Sequence, residues 1–255
     1  MRKLSVIARK PGLALAAFTI LILAAVAFAD DDSSFKVVPF TFDPHNTDLV
    51  AARWVDGAGC PTGATEVLFN SVSPFQLLPP STLTDAACPA GDPKDKENAG
   101  LLLVKTGDTL NDASAGAVIK GVKGITLTDL GYDIRTGSHC GAGAPRFNIT
   151  TTTGKLYFLG CNSPAPTTMI PSSTGWKRLR WGTGAPGSVM AFLNGNTLEA
   201  VTDPISKLSI VFDEAQDAMG GPDFSGFAVI DNIDINGTLV GRGPGEKEGS
   251  EKHEK

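Results

Sequence analysis

From Phe35 onward the chain runs in short stretches where apolar and polar residues alternate, each broken by glycine, proline or asparagine. A period of two sends successive side chains to opposite faces of a strand, and the helical period of about 3.6 is nowhere sustained. The pattern predicts strands at Phe35–Phe42, Leu49–Val55, Glu66–Asn70, Leu101–Lys105, Ala117–Lys120, Ile125–Arg135, Trp176–Trp181, Ile205–Asp213 and Gly226–Asn236. Arg146–Thr150 and Lys155–Gly160 read as a hairpin turning at Thr152-Thr153-Gly154, and Val189–Leu193 reads as a strand or a helical turn. Such strands, in a chain with 29 Gly and 17 Pro, predict an all-β chain folded as a two-sheet antiparallel β-sandwich, a jelly roll.

Two stretches read as long Pro-rich loops. Ser73–Asn98 holds Pro74, Pro79, Pro80, Pro89 and Pro93, and Ser163–Ser173 holds Pro164, Pro166 and Pro171. From Gly243 to Lys255 there is no apolar residue to bury, so this charged tail is expected to be disordered.

The N-terminus breaks the alternation. Arg2, Lys3, Arg9 and Lys10 precede an uncharged apolar run from Leu13 to Phe28, which closes on Ala27-Phe28-Ala29 before three aspartates. This is the pattern of an export signal over residues 1–29, cut after Ala29. Gly12–Ala29 is 18 residues long, so an uncut segment would instead tether the protein to a membrane. Residues 30–242 are expected to form a single domain, extracellular or periplasmic, followed by the tail at 243–255. The signal holds four of the 22 Lys and Arg and none of the 27 Asp and Glu. The remainder, 18 against 27, carries a formal charge of −9, which argues against a nucleic-acid partner.

Export also gives the cysteines a meaning. Cys60, Cys88, Cys140 and Cys161 make an even count in an oxidising compartment, with three possible pairings. Cys140 and Cys161 flank the predicted hairpin and should meet, leaving Cys60 with Cys88. A four-cysteine metal site is disfavoured by the absence of any Cys-x-x-Cys spacing.

The sharpest chemical signal lies in the last strand. In Phe227-Ala-Val-Ile-Asp-Asn-Ile-Asp-Ile-Asn-Gly237 the odd positions Phe227, Val229, Ile233 and Ile235 form one apolar face, and Asp231 shares it. A carboxylate pointing into a core must be paired, hydrogen-bonded or bound to a cation, unless a bulge reverses the parity and exposes it. In Trp176-Lys-Arg-Leu-Arg-Trp181 alternation groups Trp176 with Arg178 and Arg180. That face could stack on a sugar ring while the guanidiniums donate to hydroxyls or a uronate, or it could be covered and ion-paired.

Catalytic motifs are sparse. There is no Gly-x-Ser-x-Gly, His-Glu-x-x-His or Walker loop, and His45, His139 and His253 suit structural or surface roles. Folding could still unite a carboxylate pair such as Glu66 and Asp133 for a glycosidase mechanism.

Phe212-Asp213-Glu214, Asp217 and the Gly226–Gly237 segment together resemble the closing strands of secreted bacterial jelly-roll domains of the galactose-binding-like and concanavalin-like kind. Leu130–Arg135 with His139–Asn148 resembles uncharacterised secreted β-sandwich proteins of bacteria, a likeness that implies no known reaction. The jelly-roll resemblance implies a structural Ca²⁺, for which Asp43, Asp48, Asp213, Asp217 and Asp231 are the candidate ligands. The expectation is a secreted, non-catalytic sandwich that binds an extracellular glycan or another cell-surface ligand. The alternatives are a secreted carbohydrate-active hydrolase or lyase, and a purely structural extracellular protein.

Overall fold

In the computed structural model, residues 35–60, 95, 98–107, 113–170, 176–213 and 226–242 are described, all within one compact unit, Ser33–Lys255. The export signal, the Glu66–Asn70 strand, Cys88, Asp217, the charged tail and most of the Ser73–Asn98 loop lie outside these residues.

Every regular element among them is a strand: β1 (Lys36–Phe42), β2 (Val50–Val55), β3 (Gly100–Lys105), β4 (Ser114–Lys120), β5 (Asp129–Arg135), β6 (Arg146–Thr151), β7 (Leu156–Gly160), β8 (Thr168–Ile170), β9 (Trp176–Gly182), β10 (Met190–Leu193), β11 (Thr197–Ala200), β12 (Ile205–Phe212), β13 (Gly226–Ile235) and β14 (Thr238–Val240). They form two antiparallel sheets. The first runs β1-β4-β12-β6-β7-β10-β11, and the second runs β2-β3-β13-β5-β9-β8 with β14 on β13.

The side chains between the sheets come from alternate positions, as the period of two requires. Tyr132 and Leu130 of β5, Phe147 and Ile149 of β6, Trp181 of β9 and Ile210 of β12 are all buried there. β1 is an edge strand, which is where Pro39 can be tolerated without breaking a ladder on both sides.

Three strands escaped the alternation pattern. β8 lies inside the expected Ser163–Ser173 loop, a correction to that reading, and pairs Thr168 with Arg180 and Met169 with Leu179. A three-residue strand has no pattern of its own, and the free edge of β9 organises it. β11 and β14 follow tight turns at Asn194-Gly195 and Asn236-Gly237, where both residues of each pair have positive φ: 50° and 78°, then 52° and 82°. Asn-Gly is the signal for that turn, so both hairpins were legible in principle. Val189–Leu193 resolves as strand, Met190–Leu193.

Cys140 and Cys161 are bridged, 5.2 Å apart at Cα and 21 residues apart in sequence, closing the β6–β7 hairpin as its spacing implied. Chain-entropy reasoning for a loop of that size predicts that replacing both with Ser lowers stability by about 3 kcal/mol. Denaturant titration of the double variant checks it; an unchanged midpoint would refute it.

Candidate functional site

The final strand does not keep the single apolar face expected of it. Phe227 and Val229 pack with Cys60, Leu102, Val104 and Trp176 on the side of the second sheet away from the first. Ala228, Ile230, Ile233 and Ile235 belong to the core between the sheets. The parity changes because the register with β5 shifts between Asp231 and Asp234, and Asn232 takes a φ of 46° there. Two residues of β13 then face one space on the partner strand, which is a bulge. The bulge does not expose Asp231, which is only 2 % accessible.

Around this bulge the second sheet concentrates its buried charge. Asp231 accepts from the backbone N–H of Cys60 at 2.7 Å and of Asn232 at 2.7 Å. Burial pushes its carboxyl well above the usual range, against the pull of those two donors, with the charges of Asp95 and Asp133 acting the same way as burial. Register places Asp133 beside Asp231 on one side and beside Arg178 on the other. Asp133 accepts both arms of Arg178 at 2.9 Å, the Asn232 amide at 3.0 Å, and faces Arg180 Nη1 at 3.2 Å. Arg180 Nε in turn donates to Asp234 at 2.8 Å. Gly131 makes room for this: a Cβ there would lie 2.4 Å from Arg180 Cδ and 2.3 Å from the Leu179 carbonyl.

The three residues expected to face a sugar are thus brought onto one face, and that face is spoken for. Trp176 has no accessible surface, its indole N–H has no hydrogen-bond partner among the described residues, and the Arg135 guanidinium lies 5.9 Å from its ring centre. Arg178 and Arg180 are held by Asp133 and Asp234.

The described calcium candidates each have other surroundings. Asp43 closes its own loop by accepting from Thr47 Oγ1 at 3.0 Å and the Asp48 N–H at 2.8 Å. Asp48 is exposed, and Asp213 forms a two-armed ion pair with Arg146 at 2.5 and 2.6 Å. Asp217 lies outside the described residues. Among the described residues no group of three or more His, Cys, Asp or Glu is placed to hold a metal ion.

Open chemistry lies instead on the outer face of the first sheet. Strand pairing aligns Val38, Val118, Ser209, Asn148, Phe158, Phe192 and Leu198 in one row across all seven strands. Their chain neighbours Val37, Ile119, Ile210, Phe147, Tyr157 and Ala191 are in the core, so this row points outward. Six inter-strand steps of about 4.8 Å make it roughly 29 Å long. Val118 and Leu198 are 41 % and 46 % accessible, and Phe158 and Phe192 are half-buried.

Phe40 and Arg146 border the row. The Phe40 ring lies over Gly116, where a Cβ would come within 2.6 Å of it. Arg146 sits 5.5 Å from the Phe158 ring centre and donates to Asn148 Oδ1 at 3.0 Å. Among the described residues the Asn148 amide nitrogen and the Ser209 hydroxyl have no partner. Alternation alone could have found this row, had the strands been ordered; their order is a tertiary fact.

No family model matches the chain, and no curated protein matches it. Among solved structures it is similar to a family 11 carbohydrate-binding module of the cellulosomal cellulase Lic26A-Cel5E of Clostridium thermocellum, with TM-score 0.34, 15 % identity and coverage of 80 % of this chain and 88 % of that one. It is also similar to a family 11 carbohydrate-binding module from Clostridium thermocellum in complex with a β-1,3-1,4-mixed-linked tetrasaccharide, with TM-score 0.32, 17 % identity and coverage of 79 % and 96 %.

Proposed function

We propose that this chain is a secreted, non-catalytic binding protein whose outer face on the first sheet takes an extended glycan. The observation that carries the reading is the seven-residue row from Val38 to Leu198. It offers aromatic and aliphatic surface on either side of a polar centre, where the Asn148 amide nitrogen and the Ser209 hydroxyl have no partner among the described residues while Arg146 holds the Asn148 oxygen. A sugar ring has the matching character, an apolar face edged by hydroxyls, and a linear chain of sugars has the matching shape. Aromatic rings stack on such faces, and solvent-facing amides and hydroxyls supply orientation.

A non-catalytic role is supported by the state of the carboxylates. Both oxygens of Asp231 are engaged by backbone donors and its side chain is buried, while Asp133 is clamped by two arginines. Neither is presented to a substrate as a proton donor or nucleophile would have to be. Export and a second bridge, Cys60 to Cys88, complete the proposal, and peptide mapping of the unreduced protein tests the bridge.

The binding test is affinity electrophoresis and calorimetry of the purified protein against a panel of soluble polysaccharides, neutral and acidic. Replacing Phe158 and Phe192 with Ala is expected to weaken binding about tenfold or more, the equivalent of about 1.4 kcal/mol, with the melting temperature little changed. Failure of every polysaccharide to bind would overturn the proposal. So would binding that survives the Phe158→Ala/Phe192→Ala variant intact.

A further inference from the structure

Next to the row just described, the same face carries a second row of a different character. Two residues along each strand from Val38, Val118 and Ser209, roughly 7 Å away, stand Lys36, Lys120 and Lys207. Lys36 opposes Lys120 directly. The pairing of Ile119 with Leu208 puts Lys207 on the other side of Lys120, and Lys207 is in register with Thr150. All three lysines are exposed, and none has a carboxylate within ion-pair distance among the described residues. Lys123, also exposed, sits in the turn after β4, which is drawn to the start of β12 by the bond from the Gly124 N–H to the Ile205 carbonyl at 2.7 Å.

This arrangement sets like charges side by side on adjacent strands. Like charges directly opposite on neighbouring strands repel, and an acidic chain of net charge −5 has carboxylates to spare for neutralising them. Lys155, which precedes β7 of the same sheet, is neutralised in this way between Glu199 and Asp203. A ladder of three ammonium groups, none ion-paired among the described residues and flush with the apolar row, is complementary to negative charge repeated along a ligand lying on that row.

We infer that the ligand of this face is an anionic glycan, with its carboxylate or sulfate groups taken by Lys36, Lys120 and Lys207 while its rings lie on the Val38–Leu198 row. The inference rests on the glycan-binding reading and narrows it to a chemical class. Carboxylate and sulfate share the chemistry that three lysines recognise, and the arms of the experiment distinguish them.

The test measures affinity by calorimetry for one uronic-acid polysaccharide and its carboxyl-reduced neutral form, and for one sulfated polysaccharide and its desulfated form. Each is measured at low and at raised salt, with the native chain and with the Lys36→Gln/Lys120→Gln/Lys207→Gln variant. The native chain is expected to prefer at least one anionic form over its neutral counterpart by about tenfold or more, with the preference fading as salt rises. The variant is expected to lose the preference, to retain its affinity for the neutral form, and to melt no lower than the native chain because a repulsion has been removed. Which anionic form is preferred identifies the group recognised. Equal binding of charged and neutral forms by the native chain, or a preference that survives in the variant, would overturn the inference and leave the glycan reading standing. Binding of no form, charged or neutral, would overturn both.

Discussion

Asp133→Ala is expected to lower the stability of the folded protein by about 3–5 kcal/mol, the cost typical of removing one partner from a buried ion pair. Asp133 is fully buried, and it is the only carboxylate among the described residues within ion-pair distance of Arg178. Its loss leaves that half-buried guanidinium without a carboxylate among the described residues. It also strips Arg180 of one of its two carboxylates and Asn232 of an acceptor. The remaining Asp234 cannot compensate, because it already accepts from Arg180 Nε and from the Gly237 backbone. For a chain of this size each kcal/mol corresponds to roughly 2–4 °C, so the thermal midpoint should fall by roughly 10 °C. Adding Arg178→Met to Asp133→Ala should restore part of the loss, since the stranded charge is removed as well. A drop below about 1 kcal/mol would show the pair behaving like a solvated surface bridge and would refute this account.

Trp181→Ala should cost a similar amount, about 3–5 kcal/mol, for a different reason. Trp181 is 1 % accessible and fills the space between the sheets, with its ring centre 5.7 Å from that of Tyr132 and 6.3 Å from that of Phe147. Truncation leaves a cavity bounded by two sheets whose backbones are tied in ladders and cannot collapse into it. The indole N–H also donates to the Pro164 carbonyl at 2.9 Å, holding the approach to β8 against the core. Trp181→Phe separates the two effects: it retains most of the volume and loses the hydrogen bond, so the expected cost is about 1 kcal/mol beyond imperfect packing. Chemical denaturation measures both; equal losses for Ala and Phe would mean that the hydrogen bond, not the volume, matters.

The charge cluster and the row on the outer face of the first sheet differ in how far the chain disclosed them. Alternation correctly grouped Trp176, Arg178 and Arg180, because a strand's period of two depends only on the backbone. It could not say what lies on that face, and the structure covers Trp176 while pairing both arginines. Asp231 was recognisable as a carboxylate in an apolar strand, but its partners, Cys60 and Asn232, include one 171 residues away. The bulge that turns β13 at Asn232 left a trace only in Asn itself, a residue that tolerates positive φ. The candidate calcium ligands came with the jelly-roll resemblance, and a resemblance does not disclose that Asp43 closes its own loop or that Asp213 meets Arg146.

What the chain determined alone is local: the strands by their alternation, the Asn-Gly turns by their φ, the Cys140–Cys161 bridge by a hairpin that returns its own ends. These depend on interactions between near neighbours, so a linear pattern suffices to encode them. Strand order, by contrast, was decided only in three dimensions. The row from Val38 to Leu198 and the lysine ladder beside it draw on strands from β1 to β12 in an order no periodicity specifies. A surface that recognises a ligand is assembled by long-range pairing of strands, and its chemistry exists only once those strands lie side by side.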